Sequence, residues 1–350
     1  MTSGAERRQF ASDNYAGVCP EAWESMQQAN AGHSPAYGDD YWTQRASDLL
    51  RDLFEIDCEV FFTFNGTAAN SLAISSLCQS YHSVLVHELA HIETDECGGP
   101  EFFSNGTKVL VVDGANGKVD VDAVTRAVKR RTDIHYPKPR LLSVTQSTES
   151  GTVYTTAELD RIGETVRRLG LAWHMDGARF GNAVAALGAS PKEITWKLGV
   201  DVLCFGGTKA GMAVGECVVF FKKDLAREFA YRCKQAGQLA SKMRFLAAPW
   251  IGMLESGAWL RHAAHANAMA RRLEAALKPL TGVEILWPVE ANALFVRFPG
   301  QVAQQLRDRG WRFYDFIGAG GSRLMCAWDT QPEDVDAFSA DVRQLVAGKP

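Results

Sequence analysis

No Cys-x-x-Cys pair occurs among the eight cysteines, Cys19, Cys58, Cys78, Cys97, Cys204, Cys217, Cys233 and Cys326. That spacing offers neither a zinc knuckle nor a disulfide scaffold, and buried reduced thiols are the expectation. No apolar run approaches the ~20 residues that a membrane helix needs. The first ten residues, MTSGAERRQF, lack the apolar stretch of a secretory signal. A sustained basic run is missing too: 37 Lys and Arg stand against 41 Asp and Glu, a net charge of −4. A phosphate backbone would demand the opposite sign. These absences predict a cytoplasmic protein that serves neither nucleic acid nor membrane. There is also no internal repeat and no low-complexity segment. What remains is a chain of 350 residues, 46% hydrophobic, long enough to bury a large core in one large or two moderate domains.

The first two thirds alternate short β-rich runs with helical stretches. Strands are expected at 60–64, 84–87, 109–112, 141–145, 172–175, 202–205 and 214–221. Helices are expected at 68–79, 121–130 and 156–168, the last with Thr155 or Thr156 as cap and Glu158 in its first turn. Such alternation predicts an α/β fold with a largely parallel sheet covered on both faces. Past residue 222 the pattern changes to long helices at 224–246 and 253–277. Strands at 284–286, 293–298 and 322–327 follow, with helices near 302–309 and 332–346. The division is therefore a large α/β domain with an N-terminal arm over 1–250 and a small α+β domain over 251–350.

Three segments carry chemistry. In Trp173-His174-Met175-Asp176-Gly177-Ala178-Arg179 a short apolar strand delivers a carboxylate at its C-terminal end, where open α/β sheets place their ligands. Alone, Asp176 equally suits the cap of a helix starting at Gly177. In Val202-Leu203-Cys204-Phe205-Gly206-Gly207-Thr208-Lys209 a strand runs into a glycine-rich turn that presents a lysine. Such a lysine is a Schiff-base nucleophile or, read blandly, a solvated turn residue. In Phe64-Asn65-Gly66-Thr67-Ala68 a strand meets a helix N-terminus, an anion site with a hydroxyl at hand. Together they supply what pyridoxal 5′-phosphate requires: a phosphate cradle, a carboxylate for the pyridinium nitrogen and a lysine for the aldehyde.

The run His174-Met175-Asp176-Gly177-Ala178-Arg179 resembles the His-x-Asp-Gly-Ala-Arg signature of the low-specificity L-threonine aldolase branch of the β-eliminating lyase family. These are pyridoxal phosphate enzymes of the aspartate-aminotransferase type (fold type I). Thr208-Lys209-Ala210 stands where that family usually has Ser-Lys-Gly. Ser12-Asp13, Gly66-Thr67, Ala90-His91-Ile92, Ile134-His135-Tyr136-Pro137 and Ser322-Arg323-Leu324 match in order. One departure follows Leu141: Thr145-Gln146-Ser147-Thr148-Glu149-Ser150-Gly151 stands where the family often has a Glu-Asn-Thr-His-type strand end. That changes a wall of the site.

The resemblance implies retro-aldol cleavage of L-threonine, L-allo-threonine or related L-β-hydroxy-α-amino acids such as phenylserine to glycine and an aldehyde. It implies that Lys209 carries the cofactor aldehyde, Asp176 pairs with the ring nitrogen and His91 stacks on the ring. Gly66, Thr67 and Thr208 would hold the phosphate. Ser12, Arg179 and Arg323 would surround the substrate carboxylate, and His135 would lie near its hydroxyl. Arg244 would reach the site of a neighbouring subunit, so a homodimer or homotetramer with shared sites is implied. The base for the hydroxyl proton stays open between His91, His135 and water.

His87-Glu88-Leu89-Ala90-His91 reproduces the letters of a zinc-hydrolase motif. The motif needs a helix, whereas this stretch begins at a strand end, and no third ligand is nominated; no metal site is expected. Another fold type I lyase, working by β-elimination, is the rival within the same chemistry. A degenerate regulatory protein is the rival outside it. His174, inside a strand, is expected as a hydrogen-bonded core residue.

Overall fold

The computed structural model describes residues 9–316 and 320–348. Seven strands form the main sheet: β1 (Glu59–Thr63), β2 (His82–His87), β3 (Lys108–Val112), β4 (Lys138–Thr145), β5 (Ala172–Gly177), β6 (Val202–Gly206) and β7 (Glu216–Phe220). Their order is β1-β7-β6-β5-β4-β2-β3. Strands β3, β2, β4, β5 and β6 run parallel, and β7 is antiparallel to both of its neighbours. Strands β5, β6 and β7 are buried throughout, which is why they read as continuous apolar runs rather than alternating ones. The parallel strands deliver their C-terminal ends to one edge of the sheet.

Helices cover both faces. The helix Thr156–Leu169 starts at a capping box in which Thr155 and Glu158 satisfy each other's backbone N–H groups. The helices Pro20–Ala29 and Tyr41–Phe54, which the sequence reading leaves unassigned, pack with Arg244–Glu255 into the first core through Ala22, Leu50, Phe54, Ala247 and Trp250.

Four further strands form an antiparallel sheet. They are β8 (Glu284–Ile285), β9 (Ala293–Arg297), β10 (Tyr314–Phe316) and β11 (Gly321–Met325), in the order β10-β11-β9-β8. This sheet has its own core around Leu294, Val296, Leu324 and Phe338. The helix Ala258–Leu277 ties the two cores together: Trp259 lies in the first, Leu273 and Leu277 in the second. A division after residue 250 therefore falls inside Arg244–Glu255, a helix of the first core. Phe10, at the other end of the chain, belongs to the second core, where Met325 donates a backbone hydrogen bond to its carbonyl at 2.8 Å. That contact aims the next residues, Ala11 to Asp13, at the edge of the main sheet.

The two long helices expected after residue 222 are each broken. The first is a short turn at Lys223–Ala226, a helix Phe229–Gln235 and a gap before Arg244. The second breaks at Gly257, whose φ of 70° lies in the left-handed region. Apolar periodicity continues across such breaks, so it hides them.

Candidate active site

The sheet register fixes the centre of the site. Asp176 is the penultimate residue of β5, opposite Thr145 of β4 and Cys204 of β6. Its Oδ1 accepts from Ala178 N at 2.9 Å and its Oδ2 from Asn70 Nδ2 at 2.9 Å. It caps no helix, since the next one begins at Phe180. Asn70 Nδ2 also donates to Glu96 Oε1 at 2.8 Å, and that oxygen lies 2.9 Å from His91 Nδ1. A chain of polar contacts thus runs from His91 through Glu96 and Asn70 to Asp176. The bond to Glu96 holds the His91 imidazole above its ordinary pKa, and burial raises that of Glu96.

Beyond β6 the backbone turns through Gly206 and Gly207. A Cβ at Gly206 would stand 2.4 Å from Ala178 O, and one at Gly207 2.5 Å from Gly215 O, so no side chain fits either position. The turn ends on Lys209. Among the described residues no hydrogen bond or ion pair holds its Nζ, and burial, then the Arg179 charge, push its amine below the ordinary lysine range. An unpartnered amine whose charged form is disfavoured is the better nucleophile. Glu216 of β7 fixes the same turn: its Oε2 accepts from Gly207 N at 2.6 Å and the Thr208 hydroxyl bonds to the carboxyl. Burial raises Glu216 to about 7.

The helix Gly66–Leu77 points its N-terminus at this turn, with Asn65 as cap through a 2.9 Å bond to Ala68 N. A Cβ at Gly66 would meet nothing within 4 Å. The fold does not require glycine there, and its presence leaves the space over the helix N-terminus open. Gly66, Thr67, Asp176, Thr208 and Lys209 line one cavity of about 310 Å³. This set fits pyridoxal 5′-phosphate. It offers anion-binding amides, a carboxylate and a free amine on three sides of one space, with Asn70 Oδ1 and Ser147 Oγ buried and without partners beside it.

A second cavity, about 600 Å³, opens towards the four-stranded sheet and is lined by Ser12, Tyr15, Asp95, Tyr314 and Arg323 among others. Arg323 donates from Nη2 to Ala11 O at 3.1 Å and lies 5.5 Å from the Tyr314 ring centre, while its Nε is buried and, among the described residues, has no partner. Ser12 Oγ accepts from Asn14 N at 3.1 Å. Arg179 differs from expectation. Its fork is closed on Asp13 at 2.8 and 3.0 Å, so most of its hydrogen-bonding capacity is used inside the protein. Burial opposes a charge on Asp13, yet Arg179 holds its carboxyl below the usual range.

The structure does not bring every expected residue together within one chain. His135 is exposed, on the stretch between Lys129 and Lys138, and lines neither cavity. Arg244, first residue of its helix, also lines neither, and its Nε is buried without a partner. His87 closes β2 and its Nε2 lies 3.2 Å from Gly114 O, while His91 opens a separate four-residue helix. No single helix carries both, so the zinc-hydrolase motif is one of letters only. His174 lies 2.8 Å from Ser143 Oγ and 3.2 Å from Cys204 Sγ, its pKa pushed down to about 4 by burial, as a core histidine should be.

Sequence reasoning missed Asn70, Glu96, Glu149 and Glu216. Asn70 lies one helical turn beyond Gly66-Thr67, on the face presented to the sheet edge. The available signal for Glu149 and Glu216 was an acidic side chain amid apolar or small residues, as in Gly215-Glu216-Cys217-Val218; Glu96, in the acidic run Glu93-Thr94-Asp95-Glu96, carried none.

A family model described as beta-eliminating lyase matches residues 9–299. A low specificity L-threonine aldolase of a Pseudomonas species is 60% identical over 98% of this chain and 99% of its own length. That of Pseudomonas aeruginosa is 61% identical over 97% and 98%. Among solved structures, a Leishmania major threonine aldolase superposes with a TM-score of 0.91 at 28% identity, covering 97% of this chain and 99% of that one. With the match spanning most of the chain, this chain belongs to the β-eliminating lyase family of fold type I pyridoxal phosphate enzymes.

Proposed function

We propose that the protein is an aldolase of the L-threonine type, cleaving L-β-hydroxy-α-amino acids to glycine and an aldehyde. The observation that carries this reading is the convergence of an unpartnered Lys209, the strand-end Asp176 and the open helix N-terminus at Gly66 on one cavity. The bound cofactor supplies an electron sink for the pair released when the Cα–Cβ bond breaks. The protein's residues do the rest. Lys209 would hold the cofactor aldehyde through its amine. Asp176, oriented by Asn70 and Ala178 N, favours a protonated ring nitrogen. Gly66 and Thr67 hold the phosphate, and His91 covers the ring. Thr208 joins the phosphate ligands if its hydroxyl proton turns from Glu216, which at about 7 is able to carry one itself.

Arg323 takes the substrate carboxylate, its free Nε supporting that role, with Ser12 beside it. Arg179 contributes the edge that Asp13 leaves open. Clamping the carboxylate turns the Cα–Cβ bond into the orientation in which it breaks. The resemblance that assigns Arg244 to a neighbouring subunit's site supports a homodimer or homotetramer with shared sites, and Arg244 lines neither cavity of its own chain. A cytoplasmic location accords with this reading, and no helix among the described residues is long and apolar enough to cross a membrane.

Product analysis with L-threonine tests the reading. Equimolar glycine and acetaldehyde are expected. Ammonia and 2-oxobutanoate would instead establish β-elimination, and a colourless protein without turnover would reject the reading altogether.

A further inference from the structure

Five residues line both the cofactor cavity and the substrate cavity: Asn14, His91, Glu149, Arg179 and Lys209. On the aldolase reading the substrate's amine lies on the Lys209 side and its carboxylate on the Arg323 side. The bond to be broken therefore lies where the cavities join, and the groups of this chain that face it are those of that border. Arg179 is forked onto Asp13 and stays charged. Lys209 is committed to the amine exchange. His91 and Glu149 remain.

They are held differently. His91 shares its Nδ1 with Glu96, which keeps the ring protonated to higher pH than an ordinary imidazole and suits it to donate. Glu149 is anchored through one oxygen only. Its Oε1 accepts from His91 N at 2.8 Å and from Thr145 Oγ1 at 2.8 Å. Its Oε2 is shut from solvent and, among the described residues, has no partner. A buried carboxylate oxygen left without a donor is costly, and the fold gains nothing from it. A ligand hydroxyl would satisfy it.

We infer that Glu149 accepts the β-hydroxyl proton during carbon–carbon cleavage. The proton moves from the substrate oxygen to Oε2 as the C–O bond becomes a carbonyl. The Cα–Cβ bond breaks with its electron pair left on Cα, where the cofactor would supply the electron sink. The aldehyde departs, Glu149 returns that proton to water, and a proton taken from water by way of the Lys209 amine ends on Cα to complete glycine. Burial and the neighbouring Asp176 charge raise Glu149 to about 7, where a carboxylate is a competent base at neutral pH. Asp176, Arg179, His91 and Tyr154 are the titratable or charged groups around it.

This inference rests on the aldolase reading, and glycine separates the two. Glycine has no hydroxyl, so its binding and the exchange of its α-proton with solvent need the cofactor, Lys209 and Arg323 but not the proposed base. In the holoenzyme, Glu149→Gln is expected to lose about 10²- to 10⁴-fold in kcat for L-threonine cleavage. The spectral titration with glycine and the α-proton exchange should stay near wild type. Cleavage within a few-fold of wild type would overturn the assignment. So would a parallel loss of cleavage and exchange, which would make Glu149 a support for the site in general. Should the Gln variant fail to retain cofactor, the unaltered enzyme decides: its cleavage rate must show an acid limb that glycine exchange lacks. Matching pH profiles would reject the role. Absence of threonine cleavage by the wild type would instead refute the underlying reading.

Discussion

Asp176 stands at the end of β5 and Lys209 in the turn that follows β6, neighbouring strands whose backbones are bonded in register, Asp176 opposite Cys204 and Gly177 opposite Phe205. Arg323 and Ser12 come from a different core and from the N-terminal segment, and Arg323 is anchored by one hydrogen bond to Ala11 O and by the Tyr314 ring. The first region is held by a ladder, two glycines without room for side chains and a buried glutamate. The second is held by long-range contacts that meet at Phe10. The difference suits the division of labour. The reacting bond needs a fixed relation between lysine and carboxylate, whereas gripping a substrate needs a surface that can accept one.

The contrast can be broken at four places. Lys209→Ala should abolish turnover, by on the order of 10⁴-fold or more, since a positioned nucleophile has no substitute in the cavity; steady-state assay with L-threonine checks it. Asp176→Asn should cut kcat by about 10²- to 10³-fold and lower cofactor content, because a neutral amide cannot stabilise a pyridinium charge. Dialysis followed by absorbance measures the content. Arg323→Ala should raise KM by about 10- to 100-fold, the worth of a charged hydrogen bond, with cofactor content unchanged. Cofactor loss there, or wild-type KM, would erase the distinction between the two regions.

The smallest effect concerns pH. Glu216 is raised from an ordinary 4.5 to about 7 in the fold. Between these values the folded protein binds more protons than the unfolded chain. This contribution to stability is therefore complete below about pH 4.5 and lost as pH rises through about 7. Glu216→Gln should be more stable than wild type at pH 8 by up to about 3 kcal/mol, and nearly equal to it at pH 4.5. Thermal melts of the holoenzyme at both pH values report it; a gain of equal size at both would show that the charge is not the cause.

The sequence made the first region legible because its parts are local. Strand, glycine turn and lysine lie within eight residues from Val202 to Lys209, and the Asp176 run is similarly compact. The start of the helix at Thr156, with Thr155 or Thr156 as cap and Glu158 in its first turn, was readable for the same reason, and the structure makes Thr155 the cap. The second region was legible only through resemblance. Nothing near Arg179 foretells that Asp13, 166 residues away, closes its fork. Nor does the neighbourhood of His91 reveal that its backbone is held by Glu149, 58 residues on. Helix breaks at 236–243 and at Gly257 escaped because apolar spacing survives an interruption. Glu149 itself sits in the segment where the chain departs from the family pattern, so resemblance gave it no role.

Borohydride reduction of the purified holoenzyme, followed by peptide mapping, tests the central claim most directly, because it fixes the cofactor to whichever lysine carries it. The account predicts a single labelled peptide, Val202 to Lys222 or a fragment of it, with the added mass on Lys209. A label on any other lysine, or a coloured protein in which Lys209 stays unmodified, would contradict it.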